Sequence, residues 1–151
     1  MRDIASLAEL KTLVGTEVAL SDWIDITQQR IDAFADATLD RQWIHVDVER
    51  CARESPFGVP VAHGFLTLAL LPAMFENALR MVDVTLALNY GLDKVRFPAP
   101  VPVNSRLRAR LTLASVDAIE GGAQLVWSVR VECEGNPRPV CVATFVMRRY
   151  P

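Results

Sequence analysis

The C-terminal part of the chain alternates apolar and polar side chains with a period of two, in residues 106–113 and again in residues 125–132. Successive side chains of a strand point to opposite faces of a sheet, so each segment predicts a half-buried antiparallel strand. Gly121 and Gly122 predict a hairpin turn between these two strands. The sequence Gly135-Asn136-Pro137 predicts a second turn, leading into a last strand over residues 140–147.

An apolar segment with a different pattern precedes these strands. Pro60 and Gly64 frame a turn, and the residues that follow are apolar on nearly every side, which predicts a buried helix over about residues 64–80. Pro72 predicts a kink within it. A buried helix facing a meander of strands is typical of an α+β fold. A length of 151 residues and a hydrophobic content of 51% fit a single domain over residues 1–151.

The N-terminal part is predicted to contain short helices and one strand. Ser6 and Glu9 have the spacing of a capping box at the start of a short helix. Residues 16–24 predict a strand. Thr27 is a good N-cap for a second helix, and Asp47 can cap a third, shorter one.

The composition argues against several classes of partner. The net charge is −2 and the basic residues are dispersed, so no nucleic acid partner is expected. The three cysteines lack metal-ligand spacing and are expected to be reduced core thiols. We find no secretory segment and no apolar run long enough to span a bilayer. We therefore expect a soluble cytoplasmic protein without a membrane partner.

Asp40 and His45 are the first candidate catalytic pair. Helical positions five apart point about 140° away from each other, and an odd separation in a strand sends side chains to opposite faces. The two side chains can therefore meet only if the segment between them is irregular, as in a catalytic loop. Without further context, Asp40 would be a solvated acidic residue and His45 a structural histidine.

Gly64 is a candidate for an oxyanion hole. It is expected at the N-terminus of the buried helix, where the first amides lack intrahelical acceptors and carry partial positive charge. Such an amide suits an oxygen on which negative charge develops. Glycine also lets a ligand approach closely.

Five segments together resemble one known family. They are residues 34–40 (FADATLD), 42–47 (QWIHVD), 56–58 (PFG), 62–67 (AHGFLT) and 89–98 (NYGLDKVRFP). Their order and spacing are similar to those of the MaoC-like, R-specific enoyl-CoA hydratases (hydratase 2 type), particularly the short single-hotdog branch called nodulation protein N-like. The resemblance covers nearly the whole chain.

Two positions depart from the family pattern Gly-Asp-x-Asn-Pro-x-His. Leu39 stands in place of the glycine, and Gln42-Trp43 stands in place of Asn-Pro, while the spacing of Asp40 and His45 is kept. Where some relatives place a serine early in the helix after the oxyanion glycine, this chain has Thr67 and Pro72. These substitutions are compatible with the chemistry of the family and concern the fit of the substrate.

The resemblance implies a hotdog fold, in which an antiparallel sheet wraps a long central helix, usually as a homodimer. It implies reversible hydration of a trans-2-enoyl-CoA to a (3R)-3-hydroxyacyl-CoA. Asp40 and His45 would activate the water, with the assignment of base and acid left open, and the Gly64 amide would bind the thioester oxygen. No cofactor is expected beyond coenzyme A as part of the substrate, and no metal.

Other polar residues are weaker candidates for substrate binding. His63 is expected to cap or brace the turn before Gly64, with direct contact to substrate as the lesser alternative. Asn89 and Tyr90 are tentative substrate-binding residues with an equally good structural explanation. The stripe formed by Arg106, Arg108 and Arg110 suits either coenzyme A phosphates or a solvated face.

Two other functions remain open at this point. Hotdog proteins also include acyl-CoA thioesterases, although the spacing of Asp40 and His45 argues against that activity. A non-catalytic acyl-binding dimer is favoured if Leu39 and Trp43 close the pocket. For the dimer itself, the apolar strands over residues 125–133 and 140–147 are expected to supply the paired edge.

Overall fold

The computed structural model describes residues 1–151, which form six helices and eight strands. The helices are α1 (Leu7–Lys11), α2 (Gln28–Thr38), α3 (Trp43–Val46), α4 (Val48–Glu54), α5 (Gly64–Ala69) and α6 (Leu71–Ala78). The strands are β1 (Arg2–Ile4), β2 (Glu17–Leu20), β3 (Ile24–Ile26), β4 (Leu79–Met81), β5 (Leu86–Arg96), β6 (Ser105–Ile119), β7 (Gly122–Cys133) and β8 (Cys141–Tyr150).

The main sheet has six antiparallel strands in the order β2-β6-β7-β8-β5, with β3 also paired to β6. The two predicted turns are present. Gly121, at φ 71°, takes the left-handed conformation that the β6–β7 turn requires. Gly135, at φ 75°, lies in the turn that leads to β8. The predicted α+β class is confirmed by this sheet and the helices packed on it.

The edge expected to mediate dimerisation was predicted wrongly. Strand β7 is paired on both sides, to β6 and β8, and β8 is paired to β7 and β5. Neither therefore offers an open edge. The edge beside β8 is β5, and the opposite edge is formed by β2 and β3. The alternation pattern did not predict the eleven-residue β5, because nearly all of its side chains are exposed and both faces carry apolar and polar residues.

The predicted helix over residues 64–80 is two helices instead of one. Pro72 has no N–H to donate to the carbonyl of Leu68, four residues earlier, and the break falls at Leu70 between α5 and α6. The helical conformation also ends earlier than predicted, at Ala78. The next residues form β4, which pairs in parallel with β1.

The helices α5 and α6 cover one face of the main sheet. Phe75 of α6 packs edge-on against Trp127 of β7, with ring centroids 5.2 Å apart, and against Phe145 of β8 at 5.7 Å. All three side chains are buried. Such edge-to-face pairs add about 0.5–1.5 kcal/mol each beyond the area that they bury. This aromatic contact anchors α6 and, through it, the turn before α5.

The helices of the N-terminal half begin at the predicted N-cap residues. The side chains of Ser6, Thr27 and Asp47 each accept a backbone hydrogen bond at the start of a helix, as predicted. The strand predicted over residues 16–24 is wrong in extent, since β2 ends at Leu20 and β3 begins at Ile24. Between them the buried Ser21 hydroxyl accepts a hydrogen bond from the backbone N–H of Ala109.

The three cysteines, Cys51, Cys133 and Cys141, are buried and free, which confirms them as core thiols. Burial raises the pKa of the Cys141 thiol to about 11. None of the six helices combines the length and the apolar character needed to cross a bilayer.

Candidate active site

A reversal of the backbone at Leu39 places Asp40 at the site. Helix α2 ends at Thr38, and Leu39 caps it in the left-handed conformation, at φ 64°. This is the usual way for a helix to end, and glycine is the residue that does it without strain. This explains why the family pattern has a glycine at the position of Leu39. Leu39 keeps the same turn in this chain, and its side chain is 74% exposed.

His45 lies on the short helix α3 and is 7% exposed. Its Nδ1 is 2.6 Å from the backbone oxygen of Val61. A carbonyl oxygen only accepts hydrogen bonds, so Nδ1 carries the proton of the neutral ring. Nε2 is then the nitrogen with a free lone pair. The backbone oxygen of His45 also accepts a hydrogen bond of 2.7 Å from the Gln28 side chain, which ties α3 to α2.

Asp40 and His45 lie close together, and the chain between them leaves regular structure, as their spacing requires for such an approach. A carboxylate oxygen of Asp40 and a ring nitrogen from each of His45 and His63 lie within 4.8 Å of one another. The irregular part of the segment is shorter than predicted, since it ends at Gln42, where the single turn of α3 begins. The left-handed residue and the short helix together bring the two side chains to one place.

His63 joins the pair from the other segment. It precedes Gly64 as the N-cap residue of α5 and is 2% exposed. Its Nε2–H donates to the backbone oxygen of Asp40 over 2.9 Å, and its ring stacks on His45 with centroids 3.8 Å apart. Its side chain makes no capping bond to α5, so of the two predicted roles these contacts agree with the brace and not with the cap.

The surroundings of His45 favour its neutral form. Burial lowers the pKa of the ring, and the positive charge that His63 can carry lowers it further. The hydrogen bond to Val61 and the negative charge of Asp40 act in the opposite direction without overcoming burial. His45 therefore presents a bare Nε2 over a wider pH range than an exposed histidine.

Gly64 begins α5 and shares a cavity of about 300 Å³ with His45. A Cβ atom at this position would lie 2.9 Å from the ring of Phe97, so no larger residue fits without moving that ring. Asp40 and His63 do not line this cavity and meet His45 from outside it. Most of the other walls are apolar, including Ile44, Phe57, Val61, Ala99 and Val140.

The cluster of Asp40, His45 and His63 has the composition of a metal site but not its geometry. Imidazole binds a metal through a lone pair in the plane of its ring, at about 2.0–2.1 Å for zinc. The two rings are inclined by only 25° and stacked, so their lone pairs run side by side and do not converge on one ion. Each ring also has one nitrogen committed to a carbonyl oxygen. The absence of a metal stays a prediction.

Asn89 and Tyr90 lie elsewhere in the chain. Both belong to β5, where Asn89 lines a separate small cavity with Leu68 and Leu92, and the Tyr90 ring lies 3.4 Å from the guanidinium carbon of Arg148. A single copy of the chain therefore does not bring them to His45. Their role in substrate binding stays a prediction.

The arginine stripe on β6 is neutralised by neighbouring carboxylates. Glu132 bonds both Arg108, at 2.9 Å, and Arg110, at 2.6 Å, and Arg106 pairs with Glu134. Because these cations already have partners, the stripe is a salt-bridged outer face, and this observation disfavours its proposed use for phosphates.

Sequence reasoning did not assign Phe97 or Thr67 to the site. Phe97 covers the Gly64 backbone, and Thr67, 1% exposed, lines the same cavity. Both lie in segments that carry the family resemblance, and Thr67 follows Gly64 by three residues, one helical turn. From that spacing, the sequence could have predicted that Thr67 lies on the same side of the helix as Gly64.

Comparisons with known proteins agree with this architecture. The model of the MaoC like domain matches residues 9–133. The 3-hydroxyacyl-thioester dehydratase Z of Mycobacterium tuberculosis is 51% identical, with 98% of each chain covered. Nodulation protein N of Rhizobium leguminosarum bv. viciae is 47% identical, covering 93% of this chain and 89% of its own.

Among solved structures, an R-hydratase from Pseudomonas aeruginosa superposes with a TM-score of 0.71 at 21% identity, over 91% of this chain and 81% of that one. This likeness shows the hotdog fold that the resemblance implied. The family match and the identity to the relatives show more than the fold. The chain belongs to the MaoC-like family of dehydratases.

Proposed function

We propose that the protein catalyses the reversible hydration of a trans-2-enoyl-CoA to a (3R)-3-hydroxyacyl-CoA. The observation that carries this proposal is the hydrogen bond from His45 Nδ1 to the Val61 oxygen, because it leaves Nε2 as a bare acceptor. That acceptor belongs to a residue that has a ring nitrogen within 4.8 Å of the Asp40 carboxylate and that lines an apolar cavity. A hydration site needs a base beside a pocket for an acyl chain, and this arrangement supplies both.

The proposed chemical step uses one water molecule. Its oxygen attacks C3 while His45 Nε2 removes one of its protons, and negative charge passes from C2 to the thioester oxygen. The imidazolium then returns that proton to C2, so that the elements of water are added without any other reactant. Asp40 holds the water from the opposite side, and its charge stabilises the imidazolium. A positioned acid–base group usually contributes about 10² to 10⁴ in rate.

The Gly64 amide is proposed to bind the thioester oxygen. As the first residue of α5 its N–H has no acceptor within the helix, and it shares a cavity with His45. One oxyanion donor contributes about 10² to 10³ in rate. Phe97 packs against the Gly64 Cα and would keep water from that amide. No metal or redox cofactor enters this scheme, and coenzyme A is present only as the acyl carrier.

We also propose that the active form is a homodimer joined through β5. This edge strand is eleven residues long and carries exposed apolar side chains at Leu86, Leu88, Tyr90 and Leu92, which are 40–58% exposed. A long apolar edge invites further strand pairing, and pairing with a second copy across a two-fold axis would cover it. Asn89 and Tyr90 would then lie at the contact between protomers.

The test of the proposed activity is a hydration assay with purified protein and enoyl-CoA substrates of four to twelve carbons. Loss of the conjugated enoyl absorbance, with a (3R)-hydroxyacyl product on chiral analysis, supports the proposal. Release of free thiol would indicate hydrolysis instead. Turnover of no chain length would remove the hydratase assignment.

A further inference from the structure

His63 contacts both members of the proposed catalytic pair without lining the cavity. Its Nε2–H donates to the backbone oxygen of Asp40 at 2.9 Å. The face of its ring lies on His45 with centroids 3.8 Å apart. Phe34 of α2 closes the other side, with its ring centroid 5.0 Å from that of His63. The ring is therefore fixed in place and reaches the rest of the site only through Asp40 and His45.

We propose that His63 is a positioning residue, which holds the Asp40 segment by its hydrogen bond and the His45 ring by its stacked face. The inference rests on the proposed hydration, and it replaces the tentative assignment of His63 to substrate binding. His63 would set the distance between carboxylate and imidazole, and so the position of the water between them.

Apart from the bond to His63, few contacts restrain the Asp40 segment, which is defined as residues 39–42. The backbone N–H of Asp40 reaches the Thr38 hydroxyl only at 3.5 Å, and the Gln42 N–H reaches the Asp40 carboxylate at the same distance. The ion pair between Arg41 and Asp36 is more than half exposed on both sides, and exposed pairs of this kind contribute little. The bond from His63 is the shortest link between this segment and a buried residue.

The stacked contact also has an electrostatic consequence. The charged groups that face His45 are His63, from the start of α5, and Asp40, from the end of α2. On α2, the Gln28 amide bridges the His45 backbone oxygen and Asp32. His63 acts to lower the pKa of His45 and Asp40 acts to raise it. Replacing the His63 imidazole by an uncharged side chain should therefore raise the pKa of His45, which would not change if His63 only stabilised the fold.

Two substitutions separate the two contacts. His63→Phe keeps a ring that can stack and removes the donor to Asp40. His63→Gln keeps an N–H close to the position of Nε2 and removes the ring. Phe34→Leu serves as the control, because it loosens the packing around His63 while leaving both contacts in place. The chain has only two histidines, so in either His63 variant the remaining imidazole signal in the NMR spectrum belongs to His45.

We expect His63→Phe to lower kcat about 10- to 100-fold with little change in KM, since small misplacements near the reacting atoms have effects up to about this size. His63→Gln should recover most of that loss. Both variants should move the His45 titration and the acidic limb of kcat/KM to higher pH, and Phe34→Leu should move neither. An unchanged His45 titration in both His63 variants, or equal losses of kcat without recovery by glutamine, would overturn the proposal.

The NMR titration separates this inference from the proposed function. It follows the His45 ring in the free protein and needs no substrate. If the wild-type protein hydrates no enoyl-CoA, the proposed reaction fails, while the shift of the His45 titration still tests the role of His63. If the wild-type protein is active and the titration does not move, only the inference about His63 fails.

Discussion

The Nδ1 atom of His45 lies 2.6 Å from the backbone oxygen of Val61, and this bond is one of those that join the two motifs of the chain. Val61 lies three residues before Gly64, so the bond fixes the His45 ring relative to the start of α5. It also determines which ring nitrogen carries the proton. This contact thus fixes the base of the proposed reaction in place relative to the oxyanion donor.

The first prediction concerns Asp40 and His45. Asp40→Asn keeps the side-chain size and removes the charge, and His45→Gln keeps a hydrogen-bonding group and removes the base. Each should lower kcat at least about 10²-fold, the low end for acid–base catalysis. Because both groups act on one water, the double variant should be hardly worse than the poorer single variant. Circular dichroism should show folded protein in every case, and near-full activity of either single variant would exclude that residue from the mechanism.

The second prediction concerns pH. The pKa of His45 is lowered from 6.5, chiefly by burial, and the proposed base is the neutral ring. The acidic limb of kcat/KM should therefore lie below pH 6.5, since activity is lost only when the folded ring gains a proton. A limb at or above 6.5 in the wild-type protein would show that a different group limits the rate.

Stability should respond to the same group. Between the lowered pKa of the folded ring and the ordinary value of 6.5, the unfolded chain binds more protons than the folded chain. The contribution of His45 to stability is therefore full above pH 6.5 and is lost as the pH falls through that window. Urea denaturation of wild type and His45→Gln at several pH values measures it. The difference between the two proteins should depend on pH below 6.5 and be constant above it.

The fourth prediction concerns Leu39. A non-glycine residue in the left-handed conformation costs roughly 1–2 kcal/mol, and glycine returns about 0.4–1 kcal/mol of that through the freedom of the unfolded chain. Leu39→Gly should therefore raise the free energy of unfolding by about 0.5–1 kcal/mol, with a higher urea midpoint and unchanged slope. Val48→Gly, at an exposed helical residue, should lower it. A lower urea midpoint for Leu39→Gly would contradict this prediction. It would show that the Leu39 side chain makes stabilising contacts that a single copy of the chain does not contain.

The fifth prediction concerns β5. Light scattering at micromolar concentration should give the mass of a dimer for the wild-type protein. Leu88→Lys combined with Leu92→Lys should give a monomer, because charges on an edge strand oppose further pairing. Val14→Lys changes an equally exposed apolar residue outside β5 and should remain dimeric. A wild-type monomer with full activity would contradict the proposed assembly.

Local features of the fold could be predicted because their causes are local. Gly121 and Gly135 need left-handed backbone, and Thr27 caps α2 through its own side chain. The irregular backbone between Asp40 and His45 was also a local requirement, since no regular structure places side chains five residues apart together.

Features that depend on distant pairing could not be predicted in this way. Strand β4 exists because β1, more than seventy residues earlier, pairs with it, and this pairing ends α6 at Ala78. The position of β5 at the edge depends on its pairing with β8, and its exposed side chains have no alternation to detect. The contact of His63 with the Asp40 backbone spans twenty-three residues and leaves no trace in the residue pattern.

The most direct test of the proposed reaction is the stereochemistry of its product in deuterium oxide. Hydration of crotonyl-CoA by the purified protein, without added metal or nucleotide, should give (3R)-3-hydroxybutyryl-CoA with one deuterium at C2. The deuterium and the hydroxyl should lie on the same side of the former double bond, because His45 takes the proton from the attacking water and returns it to the same face. A (3S) product, addition to opposite faces, or release of free coenzyme A without hydration would contradict the account.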